Sequence, residues 1–175
     1  KAGAQCLYLD RGGLLWIGTF DGVSRLDLAT KPFRTLRQLP GDSESLSDDG
    51  VWAVLEDRRG RLWIGTAGGG LDLFDPATER FPHFPPDPDN PAGLNSDCVQ
   101  QLLEDPDGSI WVGTYSGLCR LDVGTGRFQQ FLYDRGRPGT LSGGSVYCLF
   151  RDRTGSLWIG TNHGLNRLNA DGRTF

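Results

Sequence analysis

LWIGT stands at residues 15–19, 62–66 and 157–161, with a near-copy, IWVGT, at 110–114. Repetition at a fixed period constrains architecture ahead of any local propensity. The four tryptophans, Trp16, Trp63, Trp111 and Trp158, are spaced by 47, 48 and 47 residues. The odd residue is one glycine of TAGGGL. Trp to the next turn glycine is six positions in Trp16 to Gly22, Trp111 to Gly117 and Trp158 to Gly164, but seven in Trp63 to Gly70.

Each repeat reads as four short strands joined by glycine-marked turns. The first strand, as in VWAVLE (51–56), VQQLLE (99–104) and VYCLFR (146–151), is apolar and rich in β-branched or aromatic residues, the pattern of a strand buried on both faces. DRGG, DRRG, DPDG or DRTG follows. An Asp able to accept from nearby backbone, with a Gly three positions on that is free to take positive φ, is hairpin-turn chemistry. The pentapeptide is the second strand, GVSRLD, GGLDLFD, GLCRLD and GLNRLN supply the third, and FRTL, FPHF and FQQF the fourth, with a start at Phe175 in the last repeat. No segment holds a helical period over a useful length.

Four-stranded antiparallel repeats of this length predict an all-β chain of β-propeller blades, at about residues 1–45, 46–93, 94–140 and 141–175. One small sheet cannot bury both of its faces, so blades must stack, and a large ring on the second strand fills the interface. Burying a Trp removes about 150–250 Å² from water, which at roughly 25 cal/mol per Å² is at most about 4–6 kcal/mol. The glycines that follow, Gly18, Gly65, Gly113 and Gly160, are expected where a neighbouring group approaches too closely for any Cβ. The pentapeptide is thus a packing element.

Composition removes several function classes. Eighteen Lys and Arg against twenty-two Asp and Glu give a net charge of −4, and no run of five like charges occurs, so nucleic acid is not an expected partner. No apolar stretch reaches the roughly 18 residues of a membrane helix, and KAGAQCLYLD lacks the pattern of a signal peptide. This segment is therefore expected to make no membrane contact of its own, and with no Met anywhere it reads as a fragment. Cys6, Cys98, Cys119 and Cys148 form no CxxC pair and are expected to be free, buried thiols.

The repeat LNSDCVQQLLEDPDGSIWVGTYSGLCRLDVGTGRFQQF, with a preceding loop such as PPDPDNPAG, closely resembles the two-component regulator propeller repeat, and LSDDGV (46–51), LNSDCV (94–99) and LSGGSV (141–146) open the second to fourth copies. The GH and WD dipeptides of WD-repeat propellers are absent, and DRRGRLW has two residues between Asp and Gly where the sialidase-type box has one. The resemblance implies a non-catalytic ligand-sensing module, periplasmic or extracellular, whose occupancy passes to a kinase or similar output. Many relatives are linked to complex carbohydrates, so the implied ligand is a small molecule or oligosaccharide. Members usually string together more repeats than four. A partial ring, or one completed by a homo-oligomer, is therefore expected.

Propeller ligands are most often held where loops entering the innermost strands converge. The long loops here are 39–50, 85–98 and 133–145. Across the repeats the frame of the first strand stays apolar while one position changes: Gln5, Trp52, Gln100, Tyr147. Trp52 and Tyr147 could stack on a sugar face, and Asp49, Asp97 and Gln100 could bond its hydroxyls, although the same rings could equally pack between blades and the acids sit in solvated turns. Asp87 and Asp89 suggest a calcium loop only superficially, since Ala92 and Cys98 occupy the positions of its Gly and Glu. His83 and His163 lie at different places in their repeats, so neither a metal site nor a catalytic set is expected and no cofactor is implied. Two alternatives remain: a protein-interaction or self-assembling scaffold, and a streptogramin-lyase-like enzyme with His163 as the residue to suspect.

Overall fold

The computed structural model describes residues 3–27, 33–87 and 89–175, without the side chain of Phe33. They contain no helix and form the expected blades of a β-propeller. The chain divides into two compact units, Lys1–Pro85 with Asp97–Val99, and Pro86–Ser96 with Gln100–Phe175.

The first unit holds two antiparallel four-stranded sheets, each in chain order. The first is β1 (Ala4–Leu9), β2 (Leu14–Thr19), β3 (Gly22–Asp27) and β4 (Phe33–Leu36); the second is β5 (Val51–Glu56), β6 (Leu62–Thr66), β7 (Leu71–Phe74) and β8 (His83–Phe84). The second unit holds most of β9 (Val99–Glu104), with β10 (Ile110–Thr114), β11 (Gly117–Asp122) and β12 (Arg127–Phe131). It also holds a three-stranded sheet of β13 (Val146–Arg151), β14 (Leu157–Thr161) and β15 (Gly164–Arg167). Phe175 reaches back to Phe131, ring centroids 5.8 Å apart, where an outer residue of that sheet would pack.

Strand pleating puts alternate residues on opposite faces. In the first unit Trp16 points at the second sheet and meets Phe74 edge-on at 5.3 Å, within a cluster that includes Val51, Leu62, Ile64 and Phe81. In the second unit Trp111 packs with Val146, Leu149, Leu157 and Ile159 of the last sheet. Trp63 is buried and tilts on Phe84 at 5.6 Å. The expectation of a buried ring fails for Trp158, which is only half-buried, because no described sheet covers the face it shares with Phe150 and Leu165. First strands buried on both faces are likewise not general: Leu7 and Leu9 on β1 and Phe150 on β13 are exposed.

The pentapeptide glycines admit a valine. A Cβ on Gly18 would lie 2.7 Å from Val51 Cγ1, one on Gly65 2.5 Å from Val99 Cγ1, and one on Gly113 2.8 Å from Val146 Cγ1. Each valine opens a first strand. At Gly160 a Cβ would meet mainly the Sγ of Cys148 in its own sheet.

The cysteines are free, but not uniformly buried. Cys98 and Cys119 are buried, Cys6 is half-buried and Cys148 is exposed, lying on the same uncovered face as Trp158. Burial pushes the thiols of Cys6 and Cys98 up to about 11 and that of Cys119 up to about 12, which keeps them protonated and unreactive near neutral pH.

Candidate functional site

The turn Asp does more than close a hairpin. Gly13, Gly60, Gly108 and Gly155 donate to the carbonyls of Asp10, Asp57, Asp105 and Asp152 at 2.9–3.1 Å. The carboxylates of three of these also receive the indole N–H of the Trp six residues on: Trp16 to Asp10 at 2.8 Å, Trp63 to Asp57 at 3.0 Å and Trp158 to Asp152 at 2.7 Å. A guanidinium covers each ring, Arg25 on Trp16 and Arg61 on Trp63 in the first unit, Arg120 on Trp111 and Arg167 on Trp158 in the second. In the third repeat the pattern breaks. Asp105 holds Arg120 and Arg151 instead, and the buried Nε1 of Trp111 has no hydrogen-bond partner among the described residues.

Hydrogen bonds from Thr154 Oγ1, then from Trp158 and backbone N–H groups, hold the Asp152 carboxyl down at about 2. For Asp57, burial pushes upward but the bonds from Trp63 and Arg61 outweigh it, so its carboxyl is also lowered. A lowered native pKa stabilises fully above the unfolded value and is lost as pH falls through the native one. We predict that the thermal midpoint falls between pH 3.8 and about 2 as Asp152 is protonated, and that this limb is shallower in Asp152→Asn. Circular dichroism melts across that range check it; an unchanged limb contradicts it.

The Thr that ends the pentapeptide fastens the loop entering each innermost strand. Thr66, Thr114 and Thr161 donate to the carbonyls of Gly70, Gly117 and Gly164 at 3.0 Å. Their hydroxyls also meet Ser47 Oγ at 3.4 Å, Asn95 Oδ1 at 2.8 Å and Ser142 Oγ at 3.0 Å. The preceding leucines, Leu46, Leu94 and Leu141, are buried and plug each loop into its sheet. Loop 39–50 has a further anchor. Ser47 N–H donates to buried Asp72 at 2.9 Å, and His83 spans from Asp72 Oδ1 to the Ser43 carbonyl, 2.8 Å on each side. Burial raises the Asp72 carboxyl against these bonds. Because the Ser43 carbonyl can only accept, His83 Nε2 must donate, so a proton also lies between Nδ1 and Asp72.

On this frame the variable position is a β-bulge in the first, second and fourth repeats. The pairing register skips residue 5 between Ala4 and Cys6, residue 52 between Val51 and Ala53, and residue 147 between Val146 and Cys148. A bulge takes its residue out of the ladder and re-aims the side chain. Gln5, Trp52 and Tyr147 are those residues.

The five candidate residues are placed as follows. In the first unit Trp52 meets Phe20 edge-on at 5.8 Å, and its buried Nε1 has no hydrogen-bond partner among the described residues. Asp49 is half-buried and committed, its carboxylate accepting the Gln38 N–H at 2.7 Å and its carbonyl the Gly22 N–H at 2.6 Å. Asp97 is exposed, and its carbonyl accepts from Gly70. In the second unit Gln100 is buried, its Nε2 without a partner among the described residues, and Tyr147 is 51% exposed. Asp87 is occupied by Asn90, at 3.0 Å between side chains. His163 is exposed, and its backbone N–H donates to Thr161. Among the described residues no group of three or more His, Cys, Asp or Glu could hold a metal ion, and no helix is long and apolar enough to cross a membrane.

Residues 45–68, 93–116 and 140–163 match the family described as two component regulator propeller. Each stretch runs from the leucine plug through the turn Asp to the fastening Thr. Among solved structures the chain is similar to the extracellular domain of a hybrid two component system from B. thetaiotaomicron, with 27% identity and a TM-score of 0.82 over 97% of this chain and 22% of that one. The same domain of a second such system from that organism has 22% identity and a TM-score of 0.76, over 94% and 21%. Virginiamycin B lyase from Staphylococcus aureus shares the fold at 15% identity and a TM-score of 0.70, over 99% and 54%. No curated protein sequence matches. The chain spans about a fifth of the two-component domains it resembles.

Proposed function

Because the chain carries two-component regulator propeller repeats at 45–68, 93–116 and 140–163, we propose that it is a ligand-sensing, non-catalytic part of a bacterial two-component-type signalling protein, lying outside the cytoplasmic membrane. The likeness to extracellular domains of hybrid two component systems supports the compartment and the class. The observation that carries ligand binding is the repeated bulge. A rigid frame presents a different side chain at one position, Gln5, Trp52 or Tyr147, in three of the repeats, and Trp52 keeps a buried Nε1–H without a hydrogen-bond partner among the described residues. Buried donors without partners are uncommon, and their satisfaction by a ligand hydroxyl is a direct source of affinity. An oligosaccharide offers both a face for aromatic stacking and a hydroxyl for the Trp52 donor.

Titration with a panel of plant and microbial oligosaccharides, followed by calorimetry, tests this. Trp52→Phe keeps an aromatic face but removes Nε1–H together with part of the stacking area, so affinity should fall about tenfold. Asp97→Ala, at an exposed position, should leave the midpoint nearly unchanged while weakening binding. Binding indifferent to the Trp52 and Asp97 substitutions would move the site elsewhere. Turnover of a streptogramin that is lost in His163→Ala would overturn the non-catalytic reading.

A further inference from the structure

Two titratable side chains of the first unit hold the loop that enters the second sheet. On β7 the buried Asp72 accepts the Ser47 N–H, and on β8 His83, its register partner, bridges from Asp72 to the Ser43 carbonyl. The two held points lie on either side of the buried Leu46. Other repeats fill the same places with uncharged groups. The register pair on β11 and β12 is Cys119 and Gln130, and the Gln130 amide donates to the Asn90 and Gly93 carbonyls of loop 85–98 at 3.1 and 2.9 Å. On β15 Asn166 accepts the Ser142 N–H at 2.9 Å, as Asp72 accepts that of Ser47. On β3 and β4 the pair is Ser24 and Thr35, their hydroxyls 3.0 Å apart. Amides therefore suffice to fasten a loop, and among the described residues the second repeat alone places two ionisable groups there.

We propose that Asp72 and His83 form a pH-sensitive clasp, which holds residues 39–46 on their sheet in mild acid and lets them lift as the pH rises past neutrality. His83 Nε2 donates to Ser43 while a further proton lies between Nδ1 and Asp72, so the clasped form carries one proton more than a neutral imidazole beside a carboxylate. Without that proton, a single N–H serves two acceptors. The bond to the charged carboxylate is the stronger, so the ring keeps Nδ1–H and turns a bare Nε2 lone pair on the Ser43 oxygen 2.8 Å away. With the loop lifted, a solvated imidazole gives up its proton near pH 6.5. The lifted form then binds fewer protons above that value, so linkage favours the clasp at lower pH and lifting at higher pH, by up to about tenfold per pH unit. Burial, which raises the Asp72 carboxyl, acts in the same direction by keeping the shared proton in the clasped form.

The charged groups on the surrounding elements are engaged elsewhere or exposed. On the loop, Asp42 accepts the Glu44 N–H at 3.0 Å, Asp48 the Gly50 N–H at 2.7 Å and Asp49 the Gln38 N–H at 2.7 Å. Glu44 pairs with Arg80 ahead of β8, and Arg34 of β4 with Glu79. Asp75, after β7, accepts the Ala77 N–H at 2.9 Å, and Arg37 is exposed. An imidazole is the side chain whose charge ordinarily changes in the neutral range. The clasp is independent of the ligand reading.

Hydrogen exchange of the 175-residue chain between pH 6 and 8.5, each rate divided by its intrinsic value, tests it. The Phe81 N–H donates to the Glu44 carbonyl at 2.9 Å, so its protection reports whether the loop is down. The matching bond in the third repeat, from Phe128 N–H to the Ala92 carbonyl at 2.9 Å, reports the loop held by Gln130. From pH 6.5 to 8.5 protection at Phe81 should fall at least about tenfold while that at Phe128 stays level. Asp72→Asn combined with His83→Gln, the amides found at these places in other repeats, should make Phe81 level as well. Protection at Phe81 that does not change with pH overturns the proposal, and so does an equal fall at Phe128. A fall that persists in the double variant does the same. The comparison of Phe81 with Phe128 uses the unaltered chain, so it decides the matter even where the double variant does not fold.

Discussion

Trp16→Ala should lower the unfolding free energy by about 3–5 kcal/mol, the range for deleting a large aromatic from a core. The ring is 3% exposed, meets Phe74 edge-on and lies beneath the Arg25 guanidinium. Its loss also strands the Asp10 carboxylate oxygen that accepts Nε1–H. Trp158→Ala, at the same place in its repeat, should cost clearly less, because that ring is only half-buried. Trp111 separates packing from hydrogen bonding. Its Nε1 is buried without a partner among the described residues, so Trp111→Phe removes an unsatisfied donor along with some area and should cost less than Trp16→Phe, which breaks a hydrogen bond as well. Urea titrations read by circular dichroism measure all four. Equal losses in Trp16→Ala and Trp158→Ala would refute the assignment of the rings to sheet-stacking.

The repeat period, strand order and turn positions were legible because each rests on local chemistry: a Trp every 47 or 48 residues, an Asp and Gly three apart, an apolar first strand. The bond from Trp to turn Asp was present as a constant spacing of six, 10 to 16, 57 to 63, 105 to 111 and 152 to 158, yet its meaning depends on how a hairpin folds the indole back over its own turn. The third copy shows why spacing alone is insufficient. Asp105 and Trp111 keep the interval, but Arg151, forty-six residues away in sequence, takes the carboxylate. The bulges at 5, 52 and 147 were visible only as a position that varied, since nothing in Gln, Trp or Tyr announces a register shift. The half-burial of Trp158 and exposure of Cys148 were illegible for a different reason: burial belongs to a pair of sheets, and a pentapeptide carries no information about whether a neighbour covers it.

Gly113→Ala should cost about 1–3 kcal/mol, the usual range for overpacking, even though alanine is better tolerated than glycine in a strand interior. The new Cβ would sit 2.8 Å from Val146 Cγ1, while the next atoms, Val146 Cβ and O, lie at 3.4 and 3.5 Å, close to ordinary contact. The clash is therefore with one methyl group. Val146→Ala removes it, so in the double variant the alanine at 113 should be nearly free, and the coupling between the two substitutions should recover most of the single-variant cost. Gly65→Ala should be harder to rescue by Val99→Ala, because the Val99 carbonyl oxygen also lies at 3.0 Å. Gly160→Ala gives the opposite control. Its Cβ would meet the Cys148 thiol, which can rotate away on an exposed face, so the chain should melt nearly as the parent does. Calorimetric midpoints for these variants measure how far each glycine serves the neighbouring sheet rather than its own. Additive effects of the 113 and 146 substitutions would show that the glycine is kept for its own strand rather than for the neighbouring sheet.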